Sequence, residues 1–138
     1  MLFIPTKQMN VKLKRTQYSQ LSSMDKIKKV IHNDDVIAFD IIDNQNIIGF
    51  AMLQKFDDTK FFLWDYAIDV NFQNKGYGTR ALIELISFLK TNYNCTLITT
   101  TYKFNNNIAK RLYENIGFQE TDVVDENNVH EVNMELEV

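Results

Sequence analysis

The chain has 138 residues, 45% of them hydrophobic, which is enough to bury a proper core and points to one domain over residues 1–138. Fifteen Lys and Arg against 18 Asp and Glu give a formal net charge of −3, so the electrostatic footprint of a nucleic-acid binder is missing and a cationic partner is mildly favoured. The single Cys95 excludes an internal disulfide, no apolar run approaches a membrane span, and Met1 to Pro5 is too short for a signal sequence, so a cytoplasmic protein is expected.

The first ten residues carry no readable pattern and read as a loose arm, and Val11 to Lys14 alternates as a short edge strand. Ser22-x-x-Asp25 has the form of a capping box, and Leu21, Met24, Ile27, Val30 and Ile31 keep helical spacing behind it. His32 follows at the carboxyl end of that helix, where a cationic ring suits the dipole better than a catalytic role. Val36 to Ile42 and Ile47 to Leu53 flank the turn-rich Asp43-Asn44-Gln45-Asn46 and make a hairpin. After the turn Asp57-Asp58-Thr59, the run Phe61 to Val70 forms a long strand, so the sheet is antiparallel to this point.

That strand delivers the chain into Gln73-Asn74-Lys75-Gly76-Tyr77-Gly78-Thr79, and an amphipathic helix follows from about Thr79 to Lys90. Glycines there let the main chain approach a ligand closely, and the helix begins with unpaired N–H groups at the positive end of its dipole. The stretch therefore reads as a cradle for phosphate or pyrophosphate, with Lys75 and Arg80 available to add charge. Gly76-x-Gly78-x-x-Ala81 also satisfies the loose dinucleotide fingerprint. However, the acidic residue wanted about 20 positions further on is replaced by Thr96-Leu97-Ile98-Thr99-Thr100, and the P-loop pattern is absent. Ala81, Leu82, Leu85, Ile86 and Leu89 form the helix's apolar stripe.

Cys95 to Tyr102 is the next strand, with Cys95 a small core residue, and a right-handed crossover through the helix sets it parallel to Phe61–Val70. Ile108, Ala109, Leu112, Tyr113 and Ile116 then repeat at helical spacing between an Asn cap and Gly117. Phe118 to Val124 and Val129 to Leu136 close the chain as two strands around Asp125-Glu126-Asn127-Asn128.

Gln73-Asn74-Lys75-Gly76-Tyr77-Gly78, followed by Asn106-Asn107-Ile108-Ala109-Lys110-Arg111-Leu112-Tyr113-Glu114-Asn115-Ile116-Gly117-Phe118, resembles the two signature blocks of the GNAT acetyltransferase superfamily. The likeness covers roughly residues 35 to 138. The strand around Trp64-Asp65-Tyr66 looks most like the spermine/spermidine-acetylating branch. The resemblance implies an α+β fold: a mixed, mostly antiparallel sheet with helices on both faces and a splayed parallel strand pair at the coenzyme site. It implies acetyl-CoA as co-substrate, held by the backbone around Tyr66, Ile68 and Val70, by the loop Gln73, Asn74, Lys75, Gly76, Tyr77, Gly78 and Thr79, and by Asn106. No metal is implied.

Transfer of an acetyl group from a thioester to an amine needs a neutral nucleophile and a proton for the departing thiolate. Tyr113 stands at the family's Leu-Tyr position, where the phenol supplies that proton; the alternative is a tyrosine that only packs in the apolar stripe. The base or amine anchor is expected at Asp65, against the alternative of a plain exposed carboxylate, while Asp69 reads as structural. In the polyamine branch an acidic residue often stands where this chain has Trp64, and successive strand residues point to opposite faces. The resemblance also implies a shortened amino-terminal helical region, which leaves the acceptor site open or completed by a second copy in a homodimer. Trp64, Tyr66 and Phe72 either line that site or belong to the core. The expected function is N-acetylation of a small primary amine, with a polyamine the best guess. A peptide or protein amine is the alternative within the enzyme class, and a non-catalytic acetyl-CoA-binding module the alternative outside it.

Overall fold

The computed structural model describes residues 1–138. Seven strands, β1 (Leu2–Pro5), β2 (Val36–Asp43), β3 (Asn46–Asp57), β4 (Lys60–Ile68), β5 (Leu97–Lys103), β6 (Gln119–Glu126) and β7 (Val129–Glu137), form one sheet in the order β1-β2-β3-β4-β5-β7-β6. Helices α1 (Arg15–Tyr18), α2 (Met24–Val30), α3 (Tyr77–Tyr93) and α4 (Asn107–Ile116) complete the α+β architecture. Every pairing is antiparallel except β4 with β5, which run parallel as the crossover rule requires. No helix is long and apolar enough to cross a membrane.

The hairpin between β2 and β3 turns on Asn44 and Gln45, both at positive φ (48° and 69°), the conformation a two-residue turn needs to follow the strand twist. Two apolar clusters lie on the two sides of the sheet. The larger joins Phe39, Leu53, Phe61, Leu63 and Ile98 to Leu82, Leu85 and Leu89 of α3 and Tyr113 of α4. The smaller joins Val36, Ala38, Phe50 and Met52 to Ile27 and Ile31 around α2. Each fully buried side chain of this size contributes about 1.5–3 kcal/mol, so the strand alternation that feeds both clusters fixes the register.

The amino-terminal arm corrects the sequence expectation. Leu2–Pro5 is an edge strand paired with Ile42 to Phe39, and Phe3 is buried. Val11–Lys14 forms no strand. Its neighbourhood is instead clamped by two buried acids. Asp40 accepts from the Asn10 amide at 3.1 and 3.2 Å, and Asp69 accepts from the Lys12 N–H at 2.9 Å. Buried carboxylates need such donors, and an extended arm supplies them without a ladder.

Other boundaries shift for local reasons. The α2 cap is Ser23 rather than Ser22, with its hydroxyl accepting from the Lys26 N–H. β4 stops at Ile68, because Asp69 caps a 3₁₀ turn at Val70–Phe72 and the Val70 N–H donates to the Lys12 carbonyl at 2.7 Å. Gly49 is a glycine for packing: a Cβ there would lie 2.9 Å from the Ala67 carbonyl oxygen, so its absence lets β3 close on β4.

Candidate active site

β4 and β5 pair only from Lys60–Leu63 to Leu97–Thr100, ending where the Thr100 hydroxyl donates to the Leu63 carbonyl at 3.1 Å. Beyond that point the strands part. Two cavities open at the parting, one of about 550 Å³ toward the glycine loop and one of about 480 Å³ toward α2 and β7. Tyr66, Asn106, Ala109 and Tyr113 line both, so the cavities adjoin at these residues.

The larger cavity takes in the main chain of the glycine loop. Ile68 at the end of β4 and Gln73, Asn74, Gly76, Tyr77 and Gly78 of the loop line it, and Asn106 faces them from α4. Gly76 caps α3 at φ +81°, a left-handed conformation that favours glycine. α3 has no side-chain cap, and its first bond runs from the Arg80 N–H to the Gly76 carbonyl, which leaves the first-turn N–H groups for a ligand. Gly78 has no packing reason to be glycine: the nearest atom to a Cβ there is Ile68 Cγ1 at 3.9 Å. A side chain would simply occupy the cradle. This donor set and open backbone fit a pyrophosphate.

Some expected residues stand apart from that cavity. Val70, Lys75 and Thr79 are not on its wall; the Val70 N–H is engaged by Lys12, and the Lys75 ammonium donates to the Asn71 carbonyl over the Phe72 ring. Arg80 turns to Glu84 and Asp43. Gln73 donates from Nε2 to the Ile68 carbonyl at 2.9 Å and to Gln17 Oε1 at 2.5 Å. Asn106 Oδ1 accepts from the Ala109 N–H at 3.2 Å while its amide reaches Gln20.

The smaller cavity is built from side chains. β4 carries a bulge at Trp64: Leu63 pairs with Leu53, but Asp65 pairs with Met52, which leaves Trp64 unpaired. One extra residue resets the alternation. Trp64 and Asp65 therefore lie on the same side, against α2, where the sequence reading set them on opposite faces. The Asp65 carboxylate is 2% exposed; Oδ1 accepts from the Ser22 N–H at 2.9 Å, and Oδ2 has no partner in the chain. Burial pushes its carboxyl above the usual range, with Ser22, Lys26 and Lys103 pulling the other way. It is a buried acid and not the exposed carboxylate of the alternative reading.

Tyr113 sits at the junction, 7% exposed, its ring 5.4 Å from Phe118. Burial pushes the phenol pKa up; the Thr100 hydroxyl pulls it back and the Asp65 charge adds to the rise. The phenol therefore keeps its proton at neutral pH. It belongs to the core and also lines the cavities.

Several contributors left no sequence signal. The Tyr66 hydroxyl donates to the Gly78 carbonyl at 2.6 Å and ties the loop to β4. Gln17 comes from α1, whose four residues are too few for a periodic pattern, and Gln20 from the turn that follows it. Lys103 looks like the end of a strand, yet its ammonium donates to the Ser19 carbonyl at 2.6 Å beside Asp65.

The spermine/spermidine N(1)-acetyltransferase of Bacillus subtilis is 37% identical over 81 residues, covering 54% of this chain and 53% of that protein. The [ribosomal protein bS18]-alanine N-acetyltransferase of Haemophilus influenzae is 39% identical over 83 residues, covering 60% and 55%. The chain thus spans about half the length of these relatives. In fold it is similar to the spermidine N-acetyltransferase from Vibrio cholerae solved with CoA and spermine, at a TM-score of 0.72 and 20% identity over 96% of each chain. The model of the acetyltransferase (GNAT) family matches residues 7–118, from the clamped arm through both signature blocks, and the chain belongs to that family.

Proposed function

We propose that the protein is an acetyl-CoA-dependent N-acetyltransferase acting on a primary amine, within a single acetyltransferase unit whose amino-terminal helical region is short. The observation that carries this reading is the meeting of a main-chain cradle and a cavity with a buried acid at Tyr113, where β4 and β5 part. The N–H groups of Gly76 to Gly78 would hold the pyrophosphate, and the edge of β4 around Tyr66 and Ile68, left unpaired by β5, would pair with the pantetheine amides like an added strand. Bound there, the coenzyme supplies an acetyl thioester.

The chain's own groups do the proton work. Asp65 Oδ2, buried and free of protein partners, anchors the incoming ammonium and takes its proton, leaving a neutral nitrogen lone pair. A carboxyl raised by burial is a stronger base than an exposed one. As the nitrogen bonds to the acyl carbon and the carbon–sulfur bond breaks, the Tyr113 hydroxyl gives its proton to the departing sulfur, and the second proton released by the acylated nitrogen restores the phenol. Its raised pKa keeps that proton available.

Two amines compete as acceptor. The relatives that act on spermine and spermidine support a small polyamine. The cations Lys26 and Lys103, flanking Asp65 in the same cavity, favour instead a single terminal amine such as that of a polypeptide, because a polyamine brings its second charge close to the first. Incubation with acetyl-CoA and a panel of spermidine, ethylamine and a short peptide, read as thiol release, tests the function. Steady release with any of them is expected; coenzyme binding with no release on any would make the protein a non-catalytic module.

A further inference from the structure

The half of the sheet beyond β5 is covered on one side only. Ile98, Thr100 and Tyr102 of β5 and Val132 and Met134 of β7 are buried beneath α3 and α4. Between them, on the other side, stand Thr99 and Thr101 of β5 and Glu131, Asn133 and Glu135 of β7, half-buried, with α2 approaching only through Lys26 at the cavity that Thr101 and Glu131 line. β6 adds Asp122 opposite Asn133, whose amide donates to it at 3.2 Å. α2 packs on this side but over Val36, Ala38, Phe50 and Met52, at the far half of the sheet.

The uncovered side is acidic. In register it carries Glu131 and Glu135 of β7 and Asp122 of β6 against one cation, Lys103, which stands opposite Glu131. The acidic side is also continuous with the acceptor cavity, since Glu131 lines that cavity with Asp65, whose Oδ2 is buried and unpartnered there. Glu131 and Glu135 are four residues apart, roughly 13 Å along the strand. A cation anchored at Asp65 can therefore place further positive charges over β7 and β6 only if it is long.

We propose that this exposed side of β5, β7 and β6 docks the body of a Lys- and Arg-rich polypeptide whose terminal amine enters the cavity at Asp65. The inference rests on the second acceptor reading. Lys26 and Lys103 repel a second charge next to the reacting amine, while Glu131, Glu135 and Asp122 attract charges further along. Thr99, Thr101 and Asn133 present hydroxyls and an amide that a peptide backbone can use. A short polyamine anchored at Asp65 can reach Glu131 in the same cavity but stops short of Glu135, roughly 13 Å further along the strand.

The test is binding of a carboxy-terminally labelled peptide of about ten residues, with a free amino terminus and lysines at alternate positions from the third onward, measured by anisotropy with coenzyme A present. Asp122→Lys/Glu135→Lys should weaken binding at least tenfold, with an intermediate loss for Asp122→Asn/Glu135→Gln, and added salt should narrow the difference. Equal affinity in wild type and both variants overturns the docking surface, as does equal binding of a peptide with glutamates in place of the lysines. An equal loss for spermidine, read by competition, overturns the polypeptide as occupant. So does a dimer, seen by sedimentation, that the double reversal dissociates, because a second copy then covers this side. Thiol release with ethylamine separates the two readings: its absence with peptide binding intact overturns catalysis alone, and its presence with charge-insensitive peptide binding overturns docking alone.

Discussion

The two cavities at the parting of β4 and β5 are made from different materials. The larger offers backbone: the left-handed Gly76, the open Gly78, the first turn of α3 and the edge of β4 at Ile68. The smaller offers side chains, with Asp65, Lys26, Lys103, Trp64 and Glu131 brought from four separate elements. A cradle made of main chain accepts one class of ligand whatever surrounds it, because N–H groups and a helix dipole recognise negative charge. A pocket made of side chains can be re-aimed by a single residue. The bulge at Trp64 does so here by turning Asp65 toward α2.

That contrast can be broken at three places. The largest effect is expected where the two cavities meet. Tyr113→Phe keeps the ring packed against Phe118 and should leave coenzyme affinity unchanged, yet lower turnover on the order of 10²–10⁴-fold. Near-normal turnover, under conditions where chemistry is rate-limiting, would make the tyrosine structural. The next effect belongs to the backbone side. Gly78→Val should weaken coenzyme binding about 10- to 100-fold, the scale of one charge-assisted hydrogen bond, with little change in melting temperature because its Cβ meets nothing closer than 3.9 Å. Unchanged affinity by calorimetry would remove the cradle. Gly76→Val differs in kind, since φ +81° also costs folding stability, and it should melt earlier.

The smallest effect belongs to the side-chain side, at Asp65. A folded carboxyl pKa above its unfolded value means that the native state binds more protons between the two, so stability falls as pH rises through that window. Asp65→Asn should remove this slope, becoming more stable relative to wild type as pH rises from about 4 toward neutrality. The same variant should abolish the acidic limb of the rate profile, which in the wild type lies above the ordinary carboxylate range. A parallel stability offset at all pH values, with the limb retained, would assign the proton to another group.

Most of the fold was legible because local rules and long-range packing agree. β-branched alternation marked β2 to β5, the stripe of Ala81, Leu82, Leu85 and Leu89 marked α3, and Asn106 with Gly117 marked the ends of α4. The failures share a cause. β1 pairs along its whole length with β2, but four residues are too few to show a period. Likewise the 3₁₀ turn after Ile68 exists because Asp69 also holds Lys12, 57 positions away. Neither partner predicts the other locally.

The sequence by itself determined the glycine loop, the helix that follows it, the crossover that sets β4 and β5 parallel, and the candidacy of Tyr113. The first three follow from backbone freedom, helical period and chirality, which act between neighbours along the chain, and the candidacy of Tyr113 follows from the resemblance of its Leu112-Tyr113 block to the family signature. Only the tertiary structure decided which way Asp65 points, that its second oxygen lacks a partner, and that Lys26 and Lys103 flank it. Those facts depend on a one-residue bulge and on contacts between residues far apart in sequence. No periodicity records how many residues a strand uses to cross its partner.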